Sequence, residues 1–216
     1  MKGIFITLEG GEACGKTTQI QMLKEYFKNK KIDALFTKEP GGMPLTDELR
    51  RLILNYEIDP PLEKTELLLY MAARIEDIEK VIKPALQEGK IVIADRFNDS
   101  TIAYQASGRQ IMSIDDMINF TENIIDNFTP DLTIYLRLEP QTAFERKKNI
   151  DLELDRIEKA GLDFHRRVLE GFDYMAKKEP ERFAIIDASK SRDEVFKEIL
   201  SVIRKKVEIW LIRKGL

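Results

Sequence analysis

Gly10-Gly11-Glu12-Ala13-Cys14-Gly15-Lys16-Thr17 has the spacing G-x-x-x-x-G-K-[ST]. A backbone of this composition can turn successive N–H groups inward around the oxygens of a phosphate. Lys16 adds a point charge, and the Thr17 hydroxyl is an oxygen ligand suited to Mg²⁺. The helix that begins at Lys16-Thr17-Thr18 presents its positive N-terminus to the same anion. An apolar strand stands before the loop and a helix after it. The segment therefore reads as a nucleoside triphosphate cradle, a P-loop, rather than a turn with an incidental lysine.

Other residues bear on what the phosphate is used for. Asp95-Arg96 follows a later apolar run, where P-loop chains keep a second acid associated with Mg²⁺. An aspartate at a strand end is, taken alone, as often a turn or helix cap. Asp95-Arg96-Phe97-Asn98 stands where a GTPase switch has Asp-x-x-Gly, and the chain has no Asn-Lys-x-Asp, so a GTPase switch is disfavoured. Arg50, Arg74 and Arg96 are permanent cations able to hold a second phosphate. Arg146-Lys147-Lys148 is a basic cluster that by itself reads as a solvated helix face. In a phosphoryl-transfer enzyme the same cluster suits a lid that brings positive charge to the transferred group and excludes water.

These residues need a frame. Apolar runs at 3–9, 34–37, 91–94, 132–136 and 183–186 read as five short strands without polar alternation, with helical periodicity between them. Helices are expected over 16–30, 45–55 and 62–88, the last bent by Pro84, and a final one through Phe196, Ile199, Leu200, Ile203 and Val207. Such an order predicts an α/β fold, a five-stranded parallel sheet with helices on both faces, and ligands at the carboxyl ends of the strands. Glu39-Pro40-Gly41-Gly42 closes the second strand as a turn.

The 216 residues, 43% hydrophobic and 34% charged, suffice for one compact domain, 1–216, with its own core. One cysteine excludes a disulfide framework and a cysteine-based zinc site, and one histidine excludes a His-rich metal cluster. No run is long and apolar enough for a membrane helix, and the N-terminal apolar stretch is too short and polar for a signal peptide. A cytoplasmic protein is expected, with no membrane partner. A net charge of −3 without a basic stripe argues against nucleic acid as a partner.

Asp95-Arg96-Phe97-Asn98-Asp99-Ser100-Thr101-Ile102-Ala103-Tyr104-Gln105 resembles the D-R-[FYH]-x-x-S-x-x-A-Y-Q signature of thymidylate kinases. Glu39-Pro40-Gly41-Gly42 is similar to their E-P-G-G turn, and Leu67 to Arg74 to their L-x-x-A-x-R helix. Pro130 to Leu136 and Phe164-His165 also fit, so the resemblance spans about residues 3–190 in order.

The resemblance implies the P-loop NTPase three-layer sandwich with a mobile lid at about 146–156, a homodimer, and the reaction ATP + dTMP → ADP + dTDP with Mg²⁺. ATP is the co-substrate, held by Gly10 to Thr18, with Lys16 on its β- and γ-phosphates. Thr17 and Asp95 are implied as metal-associated, Asp95 through water. Glu12 resembles the acid that meets the 3′-hydroxyl of dTMP; beside polyphosphate it must face the acceptor. Arg96 is implied as the cation bridging acceptor phosphate and transferred group, and Arg50 as a further acceptor-phosphate arginine. Taken alone, Arg50 reads as an exposed helical residue.

Tyr70, where most relatives carry Phe, is implied to stack on thymine, and Arg74 to donate to a base carbonyl. Ser100, Thr101 and Gln105 resemble the groups that read the thymine edge; a Gln amide can donate or accept. Tyr104 resembles the ring that crowds the sugar 2′ position, and Pro40 a cis-proline at the base pocket. The P-loop lacks an arginine that some relatives carry, and relatives without it place catalytic cations in the lid. Arg146 is the candidate, with Lys147 and Lys148 behind it. Asp187-Ala188-Ser189 resembles an adenine-contacting turn. Phosphate oxygen is already a nucleophile, so His165 is expected to be packing, and Cys14 a small filler. Two alternatives remain at this level: another nucleotide or deoxynucleoside kinase on the same scaffold, and a non-catalytic P-loop regulator or nucleic-acid-linked ATPase.

Overall fold

The computed structural model describes residues 3–54, 60–148 and 160–213. Five strands, β1 (Ile4–Glu9), β2 (Ala34–Lys38), β3 (Ile91–Asp95), β4 (Leu132–Arg137) and β5 (Phe183–Asp187), form one sheet in the order β2-β3-β1-β4-β5. Every neighbouring pair is parallel. β1, β3 and β4 lie inside the sheet and are buried almost throughout, which is why their sequences carry no polar alternation. β2 and β5, at the edges, are only partly buried.

Successive side chains of β1 serve opposite faces. Ile4, Ile6 and Leu8 join Leu23 and Phe27 of α1 (Lys16–Lys30) and Ile199 of α9 (Arg192–Arg213). Phe5 joins the other face, where it meets Phe97 edge-on at 5.0 Å and stacks on Phe128 at 5.4 Å. That face is covered by α3 (Glu63–Asp77), α4 (Lys83–Gln87), α6 (Ile114–Ile124) and α8 (Leu162–Lys178). α2 (Pro44–Leu54) packs on α3.

The expected helix over 62–88 is one rod of three parts. Between α3 and α4 the chain widens into a π turn, π1 (Ile78–Ile82), and the Lys83 N–H reaches back to Ile78 O. The wide turn lies just before Pro84, whose ring lacks an N–H and clashes with the carbonyl four residues back. A second wide segment, π2 (Ile102–Gly108), follows the short α5 (Asn98–Thr101), and periodicity gave no sign of it. Gly171 of α8 lets the two helices touch: a Cβ there would lie 2.8 Å from Ser107 Cβ and 3.0 Å from Ala103 Cα. This close approach fixes π2, which carries Tyr104 and Gln105. α7 (Pro140–Lys148) contains Arg146; the remainder of the segment 146–156 beyond Lys148 lies outside the described residues. Among the described residues no helix is long and apolar enough to cross a membrane.

Candidate active site

The P-loop starts where β1 ends. Gly10 adopts φ 144°, and a Cβ there would stand 2.6 Å from Leu136 O, so no larger residue can make the turn. The loop runs straight into α1, whose first turn holds no acidic residue, leaving its positive end uncompensated. The Lys16 ammonium donates to Gly10 O (3.0 Å) and Gly11 O (2.9 Å), at the mouth of the loop. Cys14 is buried and its thiol donates to Gly11 O, the filler role expected of it. Thr17 and Thr18 stand exposed at the helix start.

Parallel pairing of Leu8 with Asp95 brings the end of β3 beside the P-loop. Arg96 then takes the left-handed conformation (φ 71°), uncommon for a side-chain-bearing residue. Three hydrogen bonds hold it: Arg96 N to Leu8 O (3.0 Å), Phe97 N to Glu9 Oε1 (2.7 Å), and Ser100 Oγ to Glu9 Oε2 (2.6 Å). The guanidinium is thereby aimed across the loop. Nη1 donates to Gly10 O (2.9 Å) and Ser100 Oγ (3.0 Å). Nη2 donates to Glu12 Oε1 (2.8 Å) and Tyr104 Oη (3.2 Å). The Tyr104 hydroxyl closes the triangle on Glu12 Oε1 at 2.6 Å.

Burial alone would lower the Arg96 pKa, but Tyr104, Glu12, Asp95 and Glu9 outweigh it and hold the guanidinium above its ordinary value. Burial drives the Tyr104 phenol well up. Burial, then the Asp99 charge, raises the Glu9 carboxyl to about 8. Asp95 Oδ1 is buried without a hydrogen-bond partner among the described residues. A hard oxygen left over at the strand end that register sets beside the start of the P-loop suits Mg²⁺, which takes one or two protein oxygens and completes its shell with phosphates and water.

A second cluster lies behind the Glu39-Pro40 turn, whose peptide is cis. Arg74 is 2% exposed. Its Nε donates to Glu39 Oε2 (2.7 Å), Nη1 to Asn98 Oδ1 (3.0 Å) and Thr101 Oγ1 (2.9 Å), and Nη2 to Phe97 O (3.1 Å). One Nη2 hydrogen remains for another acceptor. Tyr70 is half-buried one turn earlier on α3. Arg50 Nη1 donates to Pro40 O (3.0 Å), so it braces the turn, while Arg51 is the exposed member, paired with Glu48. The Gln105 amide donates to Glu66 Oε1 at 2.9 Å. The structure thus groups Arg96, Glu12, Tyr104 and Ser100 at the P-loop, and Arg74, Thr101, Gln105 and Tyr70 along α3. Ser100 belongs to the first group, its hydroxyl engaged with Glu9 and Arg96.

Asp77 ends α3 in the same buried region, and neither carboxylate oxygen meets a hydrogen-bond donor among the described residues. Burial first, then the Glu39 charge, pushes its carboxyl up to about 8. A folded-state value above the unfolded one means that stability falls as pH rises from the ordinary carboxylate range to about 8 and is level beyond it. Asp77→Asn is expected to remove that part of the fall. Its melting temperature should exceed the parent's by roughly 5 °C near pH 9, with little difference near pH 5. Parallel melting-temperature profiles of the two proteins across that range would contradict the assignment.

Arg146 donates to Ala188 O (2.8 Å), Ser189 O (3.4 Å) and Ala13 O (3.3 Å), tying the outer side of the P-loop to the turn after β5. Its bonds do not reach the Arg96 triangle. A cleft opens beside Gly11 and Glu12, walled by Leu138, Ala143, Phe144 and His165. His165 is buried edge-on against Phe144 and Phe164, as packing.

Four polar residues of these clusters were not singled out as site residues from sequence: Glu9, Glu39, Glu66 and Asn98. Glu9 offered a signal, an acid closing an all-apolar strand that has to be buried. Glu66 offered none, because on a polar-rich helix it reads as solvent-facing.

The family model described as thymidylate kinase matches residues 8–199. A thymidylate kinase of Mesoplasma florum is 44% identical over 207 residues, covering 96% of this chain and 98% of its own. One of Clostridium novyi is 41% identical over 204 residues, covering 94% and 99%. The crystal structure of thymidylate kinase from Ehrlichia chaffeensis superimposes with a TM-score of 0.75 at 32% identity, covering 94% of this chain and 100% of that one.

Proposed function

The chain belongs to the thymidylate kinase family, enzymes that phosphorylate dTMP with ATP, and from that premise we propose how its residues divide the work. The observation that carries the reading is the Glu12–Arg96–Tyr104 triangle, which joins the P-loop to the helix of the acceptor side through bonds of 2.6–3.2 Å. A guanidinium fixed at that seam faces both the donor's terminal phosphate and the acceptor's phosphate. Lys16 and the P-loop N–H groups hold the ATP phosphates. Thr17 and Asp95 hold Mg²⁺, which neutralises charge on the triphosphate when bound.

The acceptor phosphate oxygen needs no general base, so catalysis is alignment plus charge neutralisation. Glu12, already paired with Arg96, orients the sugar 3′-hydroxyl without repelling ATP, and Tyr104 beside it leaves little room at the 2′ position. Tyr70, Arg74, Thr101 and Gln105 take the base, with Pro40 at the base pocket, and Arg50 the acceptor's phosphate end. Arg146 and the turn at Ala188 hold the adenine end of ATP, next to the lid expected at 146–156. The nucleotide substrates and the single buried cysteine fit the cytoplasm.

The test is turnover measured side by side with dTMP, dUMP, AMP, CMP and thymidine. dTMP is expected to be fastest; faster conversion of thymidine or of another monophosphate would overturn the acceptor assignment.

A homodimer is part of the same proposal. Leu68 (56% exposed) and Ile75 (40%) lie seven apart on one face of α3, with Leu62 exposed just before the helix. An apolar stripe of this kind marks an association surface. The double substitution Leu68→Glu, Ile75→Glu is expected to halve the mass read by light scattering. A parent that already runs as a single chain, or a variant that stays paired, would contradict it.

A further inference from the structure

Two rows of polar side chains, buried except for the half-buried Tyr70 and Arg109, face each other. On α3, Glu66, Tyr70 and Arg74 recur every four residues; on the opposing helix, Thr101, Gln105 and Arg109 do the same. Arg74 bonds Thr101 at one end (2.9 Å). Glu66 bonds Gln105 (2.9 Å) and lies 3.6 Å from Arg109 at the other. Tyr70 sits between the two rungs. Glu66 is fully buried and Gln105 2% exposed, so this rung is shielded from competing water.

An ionised carboxylate only accepts hydrogen bonds, and of the Gln105 amide only the nitrogen donates. The Arg109 guanidinium, stacked on Phe164 at 5.1 Å from its ring centre, keeps a cation 3.6 Å from Glu66. The amide can therefore stand one way round. Its nitrogen is directed at Glu66; its oxygen receives no hydrogen bond from another described residue and is not sealed from solvent.

We propose that Glu66 is a specificity-determining positioning residue: by fixing the Gln105 amide it presents an acceptor oxygen to the base, and so selects a pyrimidine with an N3–H. The inference rests on Gln105 belonging to the base pocket as proposed above. Thymine and uracil carry a hydrogen on N3; cytosine has a lone pair there and an amino group at C4. An oxygen facing N3 bonds the first two and repels the third. Discrimination of this kind leaves a buried acceptor unpaired or opposed in the wrong complex. Glu66 acts on the base through Gln105 rather than by touching it.

The experiment compares kcat/KM for dTMP and dCMP in the parent, in Glu66→Gln and in the exchanged pair Glu66→Gln, Gln105→Glu. With a neutral amide at 66, Gln105 can turn over and offer its nitrogen. The ratio of the two kcat/KM values is expected to fall about tenfold or more, through KM, with kcat for dTMP changed less than about threefold. The exchanged pair restores the rung with donor and acceptor swapped and still shows an oxygen to the base, so its preference for dTMP should return.

A folded Glu66→Gln that keeps the parent's ratio overturns the proposal. If Glu66→Gln does not fold, the exchanged pair decides: retained preference supports the proposal, and lost preference overturns it. A parent that does not turn over dTMP at all would instead overturn the functional reading beneath it.

Discussion

Lys16→Ala is expected to lower kcat by at least about 10³-fold while the protein keeps its fold. The Lys16 ammonium is the one side-chain cation of the loop sequence, 2.9 and 3.0 Å from two carbonyls that line its mouth. Those carbonyls belong to Gly10 and Gly11 and gain access to water when the side chain is cut back. The loss therefore falls on charge developing between the β- and γ-phosphates rather than on the core. A quenched-flow or coupled assay of ADP release, with a thermal melt as control, checks it. Turnover within tenfold of the parent would remove the P-loop from the mechanism.

Arg96→Lys is expected to cost nearly as much, roughly 10²–10³ in kcat, although the charge is kept. The Arg96 guanidinium makes four hydrogen bonds in two directions, to Gly10 O and Ser100 Oγ from one nitrogen and to Glu12 and Tyr104 from the other. A lysine has one nitrogen on a flexible stem and cannot span both. KM for ATP should move only a few-fold, because the P-loop is intact, and kcat carries the effect. A variant with normal kcat and a raised KM for ATP would place Arg96 in donor binding instead of transfer.

The legible parts of this molecule were those that backbone chemistry enforces. β1, β3 and β4 had to be largely apolar because helices cover both faces, and parallel pairing followed from the alternation with helices, whereas the order β2-β3-β1-β4-β5 is set by the fold. Gly10 and Lys16 were legible because a phosphate-binding turn tolerates few substitutes. Arg96 and Tyr104 were named from a motif, yet nothing in their spacing showed that they share one carboxylate oxygen of Glu12. Such meetings depend on chain segments more than 80 residues apart, brought together by sheet register.

Buried acids were the hardest to read. Glu9, Glu39, Glu66 and Asp77 look like surface residues by type, and burying them requires partners or a bound proton that only the fold supplies. The π2 segment escaped as well, because a turn widened by one residue leaves the apolar spacing almost unchanged. Arg146 shows the reverse case. Its charge was plain in the sequence, but its direction, toward Ala188 and Ala13, was set by where α7 leaves the sheet.

The claim on which everything else depends is that one chain grips two nucleotides head to head, with Arg96 at the seam. Calorimetric titration of the protein with dTMP in the absence of ATP tests it most directly. The expected result is saturable heat with one dTMP per chain, weakened in Arg74→Ala far more than ATP binding is. Heat from ATP with none from dTMP would contradict the account at its root.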